Sequence, residues 1–169
     1  FGNAGVRSAF KNFSEYLANR LKPRYMGLGS EINSYLKLYP GEAIDLLSLY
    51  NETVSVVKQV SPATRVTATF QYEELAGALD GIPEWNILAD FVPNMDFVAI
   101  STYPSPLFGD PDSIPSDYYS QLSQRTSKPI VIAESGWPAG GDPSFNGSED
   151  KQARFITKLE QLTDGSIKR

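Results

Sequence analysis

The spacing of apolar residues along the chain predicts helices and strands in alternation. Apolar residues recur every three or four positions, as in a helix, at 7–21, 40–60, 84–92, 116–126 and 149–162. Short apolar or alternating runs typical of strands occur at 25–31, 65–72, 95–103 and 129–135. Because strands follow each other at intervals of roughly 30 to 40 residues with a helix between them, the pattern indicates βαβ units and a parallel sheet.

Three of the four predicted strands have one face of small or polar residues and one face of apolar residues. The small or polar residues are Gly27, Gly29 and Glu31 in the first strand, Thr67, Thr69 and Gln71 in the second, and Ala99, Ser101 and Tyr103 in the third. In the fourth strand, strict alternation puts Glu134 on the same face as Ile130 and Ile132. A small or polar face, with helices packed on the opposite face, is typical of the inside of a (β/α)8 barrel.

The length of the chain matches half of such a barrel. A complete (β/α)8 barrel needs about 250 residues, and this chain has 169. We therefore predict an α/β fold, a partial (β/α)8 TIM barrel with four parallel strands and flanking helices, as one domain over 1–169. The first residues, 1–5, have no initiating Met and no signal-peptide pattern, so we expect a fragment of a longer domain. The alternative is a small open α/β sheet without a barrel.

The composition of the chain limits the kinds of ligand and catalytic site that it can have. The net charge is −5 and the sequence has no long basic run, which argues against a nucleic-acid ligand. An apolar stretch of about 18 residues, as a membrane span requires, is also missing from the sequence. The chain contains neither His nor Cys. This excludes catalysis by Ser-His-Asp or Cys-His groups, disulfides, and zinc sites built from His or Cys.

Two glutamates close apolar strands. Glu31 ends the run that begins at Tyr25, and Glu134 ends the run that begins at Pro129. A carboxylate at the end of a core strand is costly if it is buried without a partner. Two such placements on strands of one sheet therefore indicate a site. Glycoside hydrolysis is the chemistry that most often requires two facing carboxylates.

Three strings of residues resemble the clan A glycoside hydrolases, which are retaining glycosidases with a TIM-barrel fold. The strings are Gly27–Asn33, Phe97–Pro104 and Ile132–Pro138. The most similar members are endo-β-1,4-galactanase-like, followed by β-1,3-glucanase-like ones, and the resemblance covers roughly residues 10–162. It implies that the chain supplies barrel strands 4 to 7, with Glu31 as the catalytic acid/base and Glu134 as the catalytic nucleophile.

The resemblance also implies substrate-binding residues near the strand ends. Tyr103 would donate its hydroxyl to Glu134 and keep that carboxylate ionised. Trp137 would stack on a sugar ring, because aromatic rings bind the apolar face of pyranoses. Gln71 and Tyr72 end the second predicted strand and would line the cleft. The alternative for both Tyr103 and Trp137 is packing in the core.

One position departs from the clan. Ser30 stands where the clan usually has Asn to bind the sugar 2-hydroxyl, and Asn33 follows nearby in another register. This puts the identity of the substrate and the catalytic rate in doubt. The next acidic pair, Glu73 and Glu74, is expected to be solvated.

We expect a retaining glycosidase that acts on the β-glycosidic bonds of an oligo- or polysaccharide, without a cofactor or metal, in an extracellular or cell-surface location. We expect neither nucleic acid nor membrane as a partner, and the missing half of the barrel or a second copy of the chain as a possible one. Two alternatives stay open. One is a catalytically inactive carbohydrate-binding or scaffold relative, which Ser30 favours. The other is a Mg²⁺-dependent barrel enzyme with Glu31 and Glu134 as ligands.

Overall fold

Parallel strands and helices alternate along residues 1–140 and 147–164, which the computed structural model describes. The strands are β1 (Tyr25–Gly27), β2 (Arg65–Thr67), β3 (Thr69–Gln71), β4 (Val98–Thr102) and β5 (Ile130–Ser135). The α-helices are α1 (Ala4–Leu21), α2 (Ile32–Leu38), α3 (Ala43–Val60), α4 (Tyr72–Leu75), α5 (Trp85–Phe91), α6 (Ser120–Ser123) and α7 (Glu149–Thr163). Short 3₁₀ helices occupy Pro40–Glu42, Val92–Asn94 and Pro111–Ser113.

Three helices differ from the prediction. One is the single turn α4, which was not predicted and takes Tyr72 out of the second predicted strand. Helix α2 was not predicted, although Ile32 and Leu36 have helical spacing and are both buried. The predicted helix at 116–126 is wrong over most of its length, because the amides of Tyr118 and Ser120 donate three residues back and form turns, which leaves the single turn α6. Of the predicted loop after β5, residues 141–146 lie outside the described residues. No helix in the described part of the chain combines the length and the hydropathy needed to cross a bilayer.

The four predicted strands are confirmed as a parallel array, with the second one divided at Ala68. Strand β1 pairs with β2, and β3, β4 and β5 pair in that order, all of them parallel. The amide of Thr69 donates to the carbonyl of Gly29 at 2.9 Å and so links the two sheets. Among the described residues, the outer edges of β1 and β5 have no strand partner, so the barrel is open.

The core lies between the strands and the helices. The strand residues that face the helices are buried and apolar: Val66, Ala68, Phe70, Val98, Ile100 and Ile130. The opposite, concave face is the predicted face of small and polar residues. It lines an open cavity of about 690 Å³, whose wall includes Gly27, Thr67, Thr69, Ala99, Val131 and Ala133. The fold is therefore a partial (β/α)8 barrel whose concave face is open.

A bulge in β5 changes which residues face the cavity. Ile132 pairs with Ile100, but the next paired residue on β5 is Glu134, which pairs with Ser101. The extra residue is Ala133, and an extra residue in one strand reverses the alternation of side chains after it. The expectation that Glu134 shares a face with the isoleucines of its strand is therefore wrong. Glu134 lies on the concave side, with Ser101.

Helix α1 has an apolar stripe that nothing in the described chain covers. The residues that α1 buries are small, Ser14 and Ala18. Its larger apolar residues Val6, Phe13 and Leu21 are each more than half exposed. Because α1 precedes β1 and lines a shared cavity with it, the stripe and the free edge of β1 form one continuous surface, which we call the β1-side surface.

The long loop after β4 is held by helix α7. Arg154 of α7 makes two bonds to the carboxylate of Asp110, at 2.7 and 2.8 Å, and one to Asp112 at 2.5 Å. It also pairs with Asp150, one turn earlier on its own helix. The guanidinium holds the pKa of Asp110 below its ordinary value. A planar guanidinium with several carboxylates fixes geometry better than an isolated surface pair, so the loop is anchored beside the end of β4.

We expect the replacement Phe70→Ala to destabilise the fold by about 3–5 kcal/mol, because the side chain is fully buried and leaves a cavity. The ring lies between β3 and α5, with its centre 6.4 Å from that of Phe91. The free energy of unfolding in urea measures the effect. The matched control is Ile44→Ala, whose side chain is 83% exposed and whose loss should change stability by less than about 0.5 kcal/mol. Equal losses for the two variants would contradict this core.

Candidate active site

Glu31 lies at the end of β1 in an unusual backbone conformation. Its φ and ψ are 46° and 48°, the left-handed region that residues other than glycine rarely adopt. Such a conformation costs about 1–3 kcal/mol and persists where the surroundings enforce it. Here the Glu31 amide donates to the hydroxyl of Thr69 at 2.8 Å, and the hydroxyl of Ser101 donates to the Glu31 carboxylate. Both partners belong to the concave face, so the Glu31 carboxylate is on that face.

Glu134 reaches the same face through the bulge in β5. Its carboxylate accepts a hydrogen bond from the phenol of Tyr103, the residue that follows β4. Gly136 leaves the room that the Tyr103 ring needs, because a Cβ at this position would lie 3.3 Å from the ring. The side chain of Glu134 is exposed.

The two carboxylates accept hydrogen bonds from two residues of one short segment: Ser101 in β4, and Tyr103 just after β4. Ser101 and Tyr103 are two residues apart, so their side chains leave the chain on the same side. Hydrogen bonding to Glu134, followed by burial, raises the pKa of Tyr103 to about 12, and the charges of Glu134 and Glu31 add to this. The phenol thus interacts with both carboxylates. That Glu31 and Glu134 face each other across one substrate stays a prediction.

Two residues that were predicted to bind substrate, Asn33 and Gln71, instead use their side chains to hydrogen-bond to neighbouring groups of the protein. Asn33 is buried, and its side-chain oxygen accepts from the Gln71 amide at 2.8 Å while its nitrogen donates to the Gln71 carbonyl at 3.0 Å. The side chain of Gln71 donates to Glu73 at 2.6 Å and caps α4 by accepting from the Glu74 amide at 2.7 Å. Both side chains therefore hold the end of β3 in place.

The aromatic residues predicted to bind sugar lie behind the strands. Tyr72 is buried beside Tyr118, and its hydroxyl donates to the Tyr118 carbonyl. Trp137 is buried with its ring 5.4 Å from that of Phe155 on α7. Ser30 is exposed next to Glu31. Of the predicted set, the structure thus brings Glu31, Glu134 and Tyr103 to the concave face, leaves Ser30 exposed in a pocket beside α1, and places the others in supporting layers.

The expectation that Glu73 is solvated is wrong, since the side chain is 1% exposed. Among the described residues its carboxylate accepts from Gln71 at 2.6 Å, from the hydroxyls of Thr102 at 2.6 Å and Tyr118 at 3.0 Å, and from the Tyr103 amide at 3.2 Å. A buried carboxylate needs such bonds to offset its desolvation. Sequence periodicity carried no signal for this residue, because it lies past the end of the strand.

Ser101 and Thr69 are two further site residues that the sequence analysis did not single out. Their signal was present, since both were assigned to the polar face that Glu31 and Tyr103 share. In residues 1–140 and 147–164, no three His, Cys, Asp or Glu side chains come together as metal ligands would.

Comparison with solved structures identifies the fold. No family model matches the chain, and no curated protein is significantly similar to it in sequence. The Ignisphaera aggregans GH53 catalytic domain matches with a TM-score of 0.60 and 18% identity over 92% of this chain and 50% of that one. A fungal β-1,4-galactanase matches with a TM-score of 0.65 and 18% identity over 96% of this chain and 55% of that one. The chain has the fold of half a GH53 catalytic barrel.

The GH53 comparison bears on two predictions. The partial TIM barrel and the resemblance to galactanase-like glycoside hydrolases are confirmed as statements about the fold. The chain spans about half the length of the GH53 structures it matches.

We expect the pKa of Tyr103 to fall from about 12 toward the ordinary tyrosine value of about 10 in Glu134→Gln. A carboxylate beside a phenol disfavours the phenolate, so removing that charge makes the phenol easier to ionise. Titration of ¹³C-labelled tyrosine by NMR measures the value, with the Tyr103→Phe spectrum assigning the resonance. The control Glu15→Gln changes an exposed glutamate on α1. An unchanged Tyr103 pKa in Glu134→Gln would contradict the contact.

Proposed function

We propose that the protein containing these residues is a retaining glycoside hydrolase, with Glu134 as nucleophile and Glu31 as general acid/base. The observation that supports this best is the joint attachment of the two carboxylates to Ser101 and Tyr103 on the concave face. Catalytic groups of (β/α)8 enzymes lie at this carboxyl end of the strands. Retaining glycosidases require two carboxyl groups that face one substrate from two positions.

The proposed reaction has two steps. In the first, Glu31 donates a proton to the oxygen of the leaving sugar while Glu134 attacks the anomeric carbon and forms a glycosyl-enzyme ester. In the second, Glu31 takes a proton from water, which attacks the same carbon and releases Glu134. Tyr103 stays protonated at neutral pH, as an ordinary tyrosine does, and its raised pKa extends this to more alkaline solution. It therefore remains a donor that orients Glu134 and stabilises its charge.

As the substrate class we propose β-1,4-linked galactan. The solved structures that share the fold include fungal β-1,4-galactanases. The two glutamates lie toward the carboxyl ends of the strands on an open concave face, and we propose that a polymer enters and leaves at the sides of this face. Ser30, exposed beside Glu31, is proposed to bind a sugar hydroxyl. Since such polysaccharides lie outside cells, we propose an extracellular or cell-surface location.

We further propose that additional strands complete the barrel around 1–169, either from the same polypeptide or from a second copy of the chain. Two features support completion. The β1-side surface exposes Val6, Phe13 and Leu21, and exposed apolar patches of this kind mark interfaces. The outer edges of β1 and β5 also offer unpaired backbone groups in the described chain.

We expect Glu31→Gln to lower kcat/KM on β-1,4-galactan by about 10²- to 10⁴-fold, the usual contribution of general acid/base catalysis. Glu134→Gln should remove turnover altogether, because an amide cannot form the ester intermediate. Reducing-sugar release by the full polypeptide measures both. Glu15→Gln, the exposed glutamate of α1, is the matched control and should retain full activity. Wild-type rates in either site variant would contradict the assigned roles.

We expect the first-formed product to keep the β configuration, because two displacements at one carbon restore it. Anomeric proton signals recorded by NMR during early turnover give the configuration directly. An α product would contradict the double displacement. Calorimetric binding of galactan oligosaccharides without any turnover would favour the alternative of an inactive carbohydrate-binding relative.

A further inference from the structure

The end of β4 extends beyond the strand that pairs with it. Gln71 is the last residue of β3 and pairs with Ser101. Tyr103 follows Thr102, the last residue of β4. If the register of the β3–β4 ladder continued, residue 73 would lie opposite Tyr103, but the chain has turned into helix α4 there. The side chain of Glu73 returns to this place, and its carboxylate accepts from the Tyr103 amide at 3.2 Å. The Glu73 carboxylate therefore accepts the hydrogen bond that a backbone carbonyl of β3 would accept if that strand continued.

The chemistry around Glu73 requires a group that accepts hydrogen bonds. Its partners are the amide of Tyr103, the side-chain nitrogen of Gln71 and the hydroxyls of Thr102 and Tyr118, and each donates. The two oxygens of a carboxylate have enough acceptor sites for all four. The length of the Glu73 side chain places one of these oxygens within reach of the Tyr103 amide.

We propose that Glu73 is a positioning residue, which fixes the backbone at Thr102 and Tyr103 so that the phenol of Tyr103 meets Glu134. This inference rests on the proposed function of Glu134 and adds a residue to its support. The path runs from the Glu73 carboxylate to the Tyr103 amide, and from the Tyr103 phenol to Glu134. The hydroxyl of Ser135, next to Glu134, donates to the Thr102 carbonyl at 2.9 Å. The Glu134 carboxylate and the neighbouring residue Ser135 are therefore both hydrogen-bonded to the segment that Glu73 holds.

Glu73 acts at a distance from substrate. Its side chain is 1% exposed, so a sugar in the cavity does not touch it. A change at Glu73 should consequently lower kcat, through the orientation of Tyr103 and Glu134, and leave KM nearly unchanged. A residue that served the fold alone would change the unfolding temperature and leave both kinetic constants of the folded fraction as they were.

The test compares Glu73→Asp with Glu73→Gln in the full polypeptide. Asp keeps the charge but is one methylene shorter, so its carboxylate loses reach to the Tyr103 amide. Gln keeps the length, and its carbonyl oxygen still accepts from that amide while its nitrogen meets hydroxyls that can rotate to accept. Glu74→Gln, at the next position of α4, is the control. Far-UV circular dichroism verifies that each variant is folded at the assay temperature.

The readouts are the pKa of Tyr103 by ¹³C-tyrosine NMR and the kinetic constants on β-1,4-galactan. We expect Glu73→Asp to lower the Tyr103 pKa toward about 10, to reduce kcat about as much as Tyr103→Phe does, and to add little to that variant in the double mutant. Glu73→Gln should keep the wild-type pKa and most of kcat. If Glu73→Asp does not fold, Glu73→Gln decides. A folded Glu73→Gln variant whose Tyr103 pKa has fallen to about 10 would overturn the proposal that the length of the Glu73 side chain positions Tyr103.

The NMR readout separates this proposal from the proposed function. An unchanged Tyr103 pKa and kcat in folded Glu73→Asp would overturn the positioning role while the glycosidase function stood. A wild-type protein without turnover, in which Glu73→Asp still lowers the Tyr103 pKa, would remove the enzymatic function and retain the positioning of Tyr103.

Discussion

Pairing the backbone at the carboxyl ends of the strands is the constraint on which this site depends. Each strand ends where its neighbour has already turned away, and the backbone groups left behind must find other partners. Asn33 meets this need for Gln71 with one donor and one acceptor. Glu73 meets it for Tyr103 with an acceptor alone. At the carboxyl ends of the strands, some backbone groups have no partner on a neighbouring strand. Polar side chains come together at this end of the sheet to bond them.

This constraint explains why supporting and exposed polar residues are interleaved at the site. Asn33 and Glu73 are as polar as Glu31 and Glu134, but they lie one layer deeper and are saturated by the protein. Among the described residues, the two glutamates on the concave face each accept one side-chain hydrogen bond, from Ser101 or from Tyr103. The carboxylate oxygens of Glu31 and Glu134 can therefore accept further hydrogen bonds from other groups. Burial and saturation, and not residue type, separate the residues that hold the site from those that can act in it.

The sequence was sufficient for the strands and for the polar faces of β3 and β4, because alternation with period two is a direct consequence of strand geometry. It was not sufficient for Glu134, since the extra residue Ala133 reverses the alternation and a bulge leaves no periodic signal. It also failed for Glu73. An acidic residue after a strand resembles a surface residue until the register of β3 against β4 places it opposite the Tyr103 amide.

The attachment of both glutamates to β4 has a mechanical consequence. Ser101 and Tyr103 are separated by two residues of one extended chain, a span of roughly 6.6 Å that covalent geometry fixes. Movement of β1 or β5 therefore acts on two carboxylates that are both hydrogen-bonded to this one segment. The distance between the Glu31 and Glu134 carboxylates should therefore change little when the barrel wall deforms. A fold with an open rim can in this way keep a rigid pair of charged groups at its centre.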